Sequence, residues 1–250
     1  MDITNRVINI DCKKVFAFDL DGTLTEPRTW ITDENLAALD FIKAHGKKII
    51  ITGAGRVSRI FTQLREYPVD IIGNYGLQYA VFSDAKGSID VVRDMSIQCD
   101  IIPVRERVQS LRDKFGFTEY KGESMDIHST GCVIFPLLGT KASISDKLVF
   151  DPDREKRRVM YDAVQDAFPE YTVFIAGSSS FDMVPKPYNK YYALDLFCKE
   201  EGYSHDEILY FGDDYGKGGN DETVYLSEID FVKVDKSSML SEIVNSLFDK

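Results

Sequence analysis

The stretch FDLDGTLT, at residues 18–25, decides the fold that we expect for this chain. It ends an apolar run, KKVFAFDL at residues 13–20, which predicts a strand buried on both faces of a parallel sheet. Asp19 and Asp21 alternate with Leu20 where this strand ends, and open α/β sheets bind their ligands at the carboxyl ends of strands. Two neighbouring carboxylates repel each other unless a proton or a cation lies between them, and Mg²⁺ prefers such oxygen ligands.

Strands and helices alternate at both ends of the chain. The predicted elements are helices at 31–45, 56–66, 191–201 and about 237–248, and strands at 47–52, 69–74, 207–213 and 230–234. This alternation predicts an α/β fold with a doubly wound, mainly parallel, Rossmann-like sheet.

The middle of the chain has a different pattern. It predicts a hairpin of strands at 77–83 and 88–95, strands within 124–136 and at 147–150 and 171–177, and helices at 99–115 and 153–168. We therefore expect a catalytic core formed by residues 1–82 and 188–250, and an inserted α+β cap at 83–187 that sets substrate specificity.

A second acidic cluster follows a later strand, in YFGDDYGKGGND at residues 210–221. Asp213, Asp214 and Asp221 can complete the oxygen shell that Asp19 begins. The glycines let the loop fold closely around an ion. The spacing does not match an ATP-binding loop of the Walker type, so we exclude that reading.

Two further residues stand at strand or helix ends. Thr52 ends the second strand in ITGAGR, and its hydroxyl with the amide of Gly53 can cradle a phosphate; an ordinary glycine-rich turn is the alternative. Lys190 opens a helix in KPYNKYYAL, where it can neutralise phosphate oxygens or remain a solvated surface lysine.

Composition excludes several classes of protein. The 250 residues include 30 Lys and Arg against 41 Asp and Glu, a net charge of −11, so we expect neither nucleic acid nor an anionic membrane as a partner. No apolar run reaches the ~20 residues of a membrane span, and residues 1–14 do not resemble a signal peptide. Four scattered cysteines without CxxC spacing suggest reduced thiols. We expect a cytoplasmic protein.

Taken together, the order Asp-x-Asp, Thr, Lys and Gly-Asp-Asp resembles the haloacid-dehalogenase-like (HAD) superfamily of phosphotransferases. The segments FDLDGTLTEPR, GNYGLQYA, GSSSFDMVPKPYNKYYAL and FGDDYGKGGNDE are similar to eukaryotic-type phosphomannomutases. The segment ITGAGR is closer to the related sugar phosphatases, which carry ITGR-type motifs.

This resemblance implies roles for the core residues. Asp19 would be the nucleophile that forms an aspartyl-phosphate, and Asp21 the general acid and base. Mg²⁺ would be held by Asp19, the Asp21 carbonyl and Asp213, and three residues would complete or orient its shell: Asp214, Asn220 and Asp221. Thr52 and Lys190 would hold phosphate oxygens, and Arg28 would reach the substrate from the core.

The cap decides between two activities. Phosphomannomutases have an arginine-rich second phosphate site there. In this chain His128 lies near one of the matching positions, Thr140 or Lys141 near another, and Lys147 at a third. Arginine grips phosphate with two parallel hydrogen bonds and lysine does not, so these exchanges weaken a two-ended phosphate clamp. Ser179 and Asp182 match residues that contact sugar hydroxyls.

We therefore expect a Mg²⁺-dependent phosphohydrolase acting on a phosphorylated sugar. The alternative is a phosphomannomutase-like mutase that interconverts mannose 6-phosphate and mannose 1-phosphate. A protein that only binds phosphosugars is disfavoured because Asp19 and Asp21 are both present. The resemblance also implies a possible homodimer through the cap.

Overall fold

The computed structural model describes residues 8–249, and its contacts divide the chain into two compact units. The core unit comprises the described residues up to Asp94, the segment Lys190–Tyr215 and the residues from Asp221 onward. The cap unit comprises Met95–Asn189 and Gly216–Asn220. Residues 1–7 and 250 lie outside the described residues. The predicted core includes them, and residues 1–7 are half of the segment 1–14 that does not resemble a signal peptide.

The strands are β1 (Val15–Asp19), β2 (Lys48–Thr52), β3 (Asp70–Gly73), β4 (Gln78–Ser83), β5 (Ser88–Asp94), β6 (Asp126–Ile127), β7 (Val133–Pro136), β8 (Tyr171–Ala176), β9 (Ser180–Pro185), β10 (Ile208–Gly212) and β11 (Asp230–Lys233). The α-helices are α1 (Asp33–Ala44), α2 (Val57–Gln63), α3 (Ile101–Phe115), α4 (Ile144–Phe150), α5 (Glu155–Ala167), α6 (Lys190–Glu201), α7 (Glu222–Tyr225) and α8 (Leu240–Phe248).

The core unit is built on a seven-stranded sheet in the order β11-β10-β1-β2-β3-β4-β5. The strands from β11 to β3 pair in parallel, and β4 and β5 add an antiparallel edge. This confirms the predicted α/β class with a mainly parallel sheet. It also places β1 in the middle, between β10 and β2, so that the ends of these three strands are neighbours.

Alternate side chains of β1 pack on opposite faces of this sheet. Phe16 and Phe18 join the apolar cluster formed with α1, α2 and α8, whereas Val15 and Ala17 join a second cluster with α6. A strand covered by helices on both sides needs an unbroken apolar sequence, which explains the run that precedes Asp19. The two apolar layers leave the carboxyl end of β1 as its polar position.

Two expectations for the middle of the chain were wrong in detail. The first boundary lies after Asp94 instead of residue 82, because β5 pairs with β4 and so extends the core sheet. The predicted strand at 147–150 is the end of helix α4, which begins after Ser143, whose hydroxyl accepts a hydrogen bond from the Asp146 amide. A short apolar run fits either a strand or a helix, and here the capping serine decides for the helix.

The cap unit contains a four-stranded antiparallel sheet in the order β6-β7-β9-β8. Its apolar cluster joins one face of the sheet, including Phe181 and Met183, to α3 and α5. The loop at Gly216–Asn220 belongs to this unit, and the Ile175 amide donates to the Gly218 carbonyl at 2.7 Å. Strand β9 was not predicted, although it carries the candidate sugar-binding residue Asp182.

Across residues 8–249, no helix combines the length and the apolar character that a membrane crossing requires.

Candidate active site

Three neighbouring strands of the core sheet end in polar residues at one edge. Asp19 ends β1 and lies opposite Thr52, which ends β2. On the other side of β1, strand β10 ends at Gly212 and is followed by Asp213. Parallel strands bring their carboxyl ends to the same edge, so residues far apart in sequence meet there.

A buried lysine connects the two acidic segments. The Lys190 ammonium, at the start of α6, donates to Asp19 Oδ1 and to Asp221 Oδ1, each at 2.6 Å. All three side chains are nearly inaccessible to solvent, with 1%, 6% and 0% of the Lys190, Asp19 and Asp221 side chains exposed. A buried charge is tolerated when it is paired and hydrogen-bonded, and here each carboxylate meets the same cation.

Tyr210 extends this network, and the sequence analysis did not identify it. Its hydroxyl donates to Asp221 Oδ1 at 2.6 Å and lies 3.1 Å from Thr52 Oγ1. The second oxygen of Asp221 accepts the Asp214 amide at 3.0 Å. Asp221 is therefore held by three different donors, and the tyrosine connects it to the end of β2. The only sequence signal was one hydroxyl-bearing aromatic in an otherwise apolar strand.

Asp213 completes a compact acidic cluster with Asp19 and Asp221. One carboxylate oxygen from each of the three lies within 4.8 Å of the others. Thr23 donates to Asp213 Oδ1 at 3.0 Å. Gly22 has a φ of +105°, and a Cβ there would lie 2.3 Å from Asp213 Oδ2. Only glycine combines this backbone conformation with such a close approach.

The electrostatics of the cluster favour a divalent cation. Burial raises the pKa of Asp19 well above its usual range, and the carboxylates of Asp221 and Asp213 raise it further, against the opposing effect of Lys190. Burial and the Asp221 charge raise the pKa of Asp213 to about 6. Three carboxylates facing one lysine carry excess negative charge, and hard oxygen donors are what Mg²⁺ prefers. The residues present therefore fit a metal site.

Lys190 itself remains charged. Burial alone would lower the pKa of Lys190, but the adjacent carboxylates of Asp19 and Asp221 outweigh burial and raise it. The Tyr210 hydroxyl stays protonated, because burial and then the Asp221 charge raise its pKa well above its usual value. The site thus offers a fixed cation and a fixed hydroxyl donor beside Asp19.

The Asp21 carboxylate points into a different set of contacts. Its Oδ1 accepts the Arg28 amide at 2.9 Å and Gln63 Nε2 at 2.7 Å, and its Oδ2 accepts Arg59 Nη2 at 2.9 Å. Burial tends to raise the pKa of Asp21, but the hydrogen bonds from Arg28 and Gln63 and the charge of Arg59 lower it overall. Asp21 is therefore ionised in this arrangement. Arg59 and Gln63 were also missed by the sequence analysis.

Other core candidates have neighbours that the sequence did not predict. The Thr52 hydroxyl lies 3.2 Å from the Phe18 carbonyl as well as near Tyr210, and the Gly53 amide donates to the Ile72 carbonyl at 2.9 Å. Phosphate binding by Thr52 and Gly53 stays a prediction. It would require the Thr52 hydroxyl and the Gly53 amide to give up their present hydrogen bonds for bonds to the phosphate. Asp214 contributes its backbone to the Asp221 contacts, and its carboxylate is not a member of the three-residue cluster.

The cap unit contains the remaining candidates. His128 follows β6, and its Nδ1 lies 2.8 Å from Thr130 Oγ1. Lys147 Nζ lies 3.5 Å from the carbonyl of Thr140, the residue that precedes the exposed Lys141 in the chain. The buried Ser179 accepts the Leu137 amide through its carbonyl. Asp182 is half-buried on β9, and Asn220 lies in the loop segment of the cap unit. Their roles toward a substrate or metal stay predictions.

Comparisons with known proteins bear on the family and the fold of the chain. A family model described as eukaryotic phosphomannomutase matches residues 120–247, just over half of the chain. The phosphomannomutase of Schizosaccharomyces pombe is 27% identical over 231 residues, covering 86% of each chain.

Two solved structures share the fold. An N-terminally truncated IMP-nucleotidase of Plasmodium falciparum has a TM-score of 0.68 at 14% identity, covering 95% of this chain and 71% of that one. A phosphatase of the HAD superfamily from Bacteroides thetaiotaomicron has a TM-score of 0.59 at 19% identity, covering 94% and 95%.

Proposed function

Because the chain belongs to the eukaryotic phosphomannomutase family, an enzyme family of HAD type, we propose that it is a Mg²⁺-dependent phosphohydrolase that acts on a phosphorylated sugar through an aspartyl-phosphate. The observation that carries this proposal is the buried Asp19, held by Lys190 and clustered with Asp213 and Asp221. A carboxylate can act as a nucleophile toward phosphorus, and Lys190 together with a divalent cation at the acidic cluster would offset the charge of the phosphate.

In the first step, a carboxylate oxygen of Asp19 attacks the phosphorus of the substrate. The phosphorus–oxygen ester bond breaks, and the sugar oxygen leaves with a proton that Asp21 supplies. Lys190, already bonded to Asp19 Oδ1, fixes the orientation of the nucleophile and neutralises charge that develops on the phosphoryl oxygens. Since Asp21 is ionised at rest, it must take up a proton before or during substrate binding.

Asp19, Asp213 and the backbone carbonyl of Asp21 would hold Mg²⁺, and Asp214, Asn220 and Asp221 would support them. When bound, Mg²⁺ would supply charge neutralisation for the nucleophile and the phosphoryl group together. Asp221 accepts hydrogen bonds from Lys190, Tyr210 and the Asp214 amide, so its main contribution is to fix the lysine.

In the second step, water attacks the phosphorus of the aspartyl-phosphate. Asp21 accepts a proton from that water, the acyl-phosphate bond breaks, and inorganic phosphate leaves while Asp19 is regenerated. Arg28, whose amide contacts Asp21, and the cap residues Ser179 and Asp182 are the candidates that orient the sugar.

A phosphosugar mutase is the second candidate, and the family match favours it. A mutase must return the phosphoryl group from Asp19 to a sugar hydroxyl instead of to water. That requires a site for a second phosphate, and His128, Lys141 and Lys147 are the cap residues available for it. Because these lack the forked geometry of arginine, hydrolysis is the outcome that we favour.

One assay separates these outcomes. Purified protein is incubated with mannose 1-phosphate and with other hexose phosphates, with Mg²⁺ or with EDTA, and with or without a trace of hexose bisphosphate. Mg²⁺-dependent phosphate release without bisphosphate supports the hydrolase. Interconversion of the 1- and 6-phosphates that depends on bisphosphate supports the mutase, and the absence of both reactions contradicts the proposal.

We also propose that the cap unit mediates homodimerisation and that the protein works in the cytoplasm. Helix α4 exposes Ile144, Leu148 and Val149, an apolar surface that a second copy would cover. All four cysteines are free thiols, which suits a reducing compartment. Light scattering on the wild type and on Leu148→Glu tests the dimer: the variant should have half the mass of the wild type, and a wild-type monomer contradicts the proposal.

A further inference from the structure

Two side chains of helix α2 hydrogen-bond to the Asp21 carboxylate. Arg59 and Gln63 are four positions apart, so they project from the same face of the helix. Gln63 Nε2 contacts Asp21 Oδ1 at 2.7 Å and Arg59 Nη2 contacts Oδ2 at 2.9 Å. Each oxygen of the carboxylate is thus tied to α2, which fixes both its position and its rotation.

Gln63 is also tied to the turn that carries Asp21. The same amide nitrogen donates to Thr25 Oγ1 at 2.9 Å, and the Gly22 amide donates to the Thr25 carbonyl at 2.7 Å. Only the amide nitrogen can donate to a carboxylate, so both hydrogens of Gln63 Nε2 are used and its orientation is determined. Gln63 is buried, and its loss would leave Asp21 Oδ1 with the Arg28 amide and would remove the donor to Thr25 Oγ1.

Arg59 is placed by a feature of the ITGAGR segment that the proposed mechanism does not use. A Cβ at Gly55 would lie 2.5 Å from Arg59 Nε, so the missing side chain leaves the space in which the guanidinium rests. Arg59 is partly exposed, and together with Gln63, Arg28 and Trp30 it lines an open pocket of about 380 Å³. The side chains that hold Asp21 are therefore at a surface that a ligand can reach.

We propose that Arg59 and Gln63 are positioning residues that hold the Asp21 carboxylate in register for proton transfer to the leaving oxygen. This proposal rests on the proposed function, because it concerns the acid of that reaction. Both residues contact the Asp21 carboxylate, and neither is assigned a contact with the phosphorus or the metal ion. Their loss should therefore impair the proton transfer and leave the attack by Asp19 intact, and that difference can be measured.

The test compares two leaving groups in a single turnover with enzyme in excess over substrate. Mannose 6-phosphate releases a sugar alkoxide that must be protonated, whereas p-nitrophenyl phosphate releases a phenolate that needs no proton. The variants are Arg59→Gln and Gln63→Leu, with Arg59→Lys as the conservative rescue. Arg65→Gln is the matched control, because Arg65 follows the same helix and pairs with Asp33 instead of Asp21.

We expect Arg59→Gln and Gln63→Leu to slow sugar release by about 10- to 100-fold, since small displacements of a catalytic group have effects of this size. Release of p-nitrophenolate should change less than about threefold, and Arg59→Lys should recover much of the loss. An equal fall with both substrates, or no fall with either, would overturn the proposal. Failure of the wild type to release the sugar would instead contradict the proposed function, so the two failures are distinguishable.

Discussion

Buried cations in the two units of the molecule have different partners. In the core unit, Lys190 contacts two carboxylates and sits beside a third, Asp213. In the cap unit, Arg112 is fully buried and donates to the backbone carbonyls of Phe117, Ser124 and Leu137 and to that of Pro136. No carboxylate among residues 8–249 forms an ion pair with Arg112.

Arg157 of the cap unit is intermediate between these cases. It pairs with the buried Asp151 at 2.8 Å and also donates to the carbonyls of Ala176, Gly177 and Ser180. These three carbonyls belong to the β8–β9 turn, next to the candidate sugar contact Ser179. A buried cation that satisfies carbonyls fixes the backbone, whereas one that faces excess carboxylates leaves a net negative charge that a divalent metal ion can offset. The type of partner, more than burial itself, separates the reactive site from the scaffold.

The sharpest test of this distinction is Asp19→Asn, which we expect to abolish turnover. The variant keeps the shape of the side chain and removes the attacking charge. Because burial and neighbouring carboxylates raise the pKa of Asp19, its ionised form is unfavourable in the fold, and a neutral amide should leave Tm in EDTA unchanged or higher. Steady-state kinetics and thermal unfolding measure the two effects. A large fall in Tm would show that Asp19 is structural, and residual wild-type turnover would exclude it as the nucleophile.

Arg157→Met makes the opposite prediction for the cap unit. Removing the arginine leaves Asp151 buried without its cation, and such losses destabilise a protein by about 3–5 kcal/mol. Urea denaturation of the full chain measures the change in free energy of unfolding. Arg158→Met is the matched control. Arg158 is the exposed neighbour of Arg157 on the same helix, so its loss should change the stability little. If both variants are equally stable, the carbonyl-bound arginine is not part of the scaffold.

Lys190→Met should lower kcat/KM by about 10²–10³-fold, which is typical for loss of one charge-stabilising donor. Its two buried partners, Asp19 and Asp221, would then face each other without the lysine. The control is Lys199→Met on the same helix, where an exposed lysine pairs with Asp195. Activity of the Lys190 variant within a few-fold of the control would remove the lysine from the mechanism.

The strand ends of the core were predictable, because their signals are local. An unbroken apolar run followed by Asp19, and a second run followed by Asp213, place both residues at one edge once the sheet is parallel. The partners Tyr210, Arg59 and Gln63 were not predictable in this way. In sequence they look like parts of an apolar strand and an amphipathic helix, and only the packing of distant elements aims their polar atoms at Asp221 and Asp21.

The limits of the cap were harder to predict for a related reason. Strand β5 is amphipathic and partly exposed, so nothing in its own pattern says whether it extends the core sheet or begins the cap. In α4 the apolar residues Ile144, Leu148 and Val149 lie at the surface, which defeats an interpretation that assumes they are buried. The local sequence pattern therefore predicts where apolar and polar residues alternate, whereas tertiary packing decides which of the apolar side chains are buried.

The smallest expected effect is a pH-dependent stabilisation by Mg²⁺. The pKa of Asp213 is raised to about 6 by burial and the Asp221 charge, whereas an unfolded aspartate titrates near 4. Between these values the folded state holds a proton that the unfolded state has lost, so this group makes the metal-free protein less stable as pH rises from about 4 to about 6. Mg²⁺ must displace that proton at low pH but only offsets charge at high pH.

Mg²⁺ should therefore raise Tm more at pH 7.5 than at pH 5. In a chain of this size each kcal/mol corresponds to roughly 2–4 °C, so we expect a shift of several degrees at pH 7.5 and a smaller one at pH 5. Comparing Mg²⁺ with EDTA at each pH cancels the titration of the carboxylates that lie away from the acidic cluster. Asp213→Asn removes one of the titrating carboxylates of the cluster and leaves Asp19, so the metal effect should become smaller and should depend less on pH. An equal shift of Tm at both pH values in the wild type would mean that Mg²⁺ binds away from Asp213. The excess carboxylates around Lys190 would then not form a metal site, and they would no longer explain why Lys190 and Arg112 differ in role.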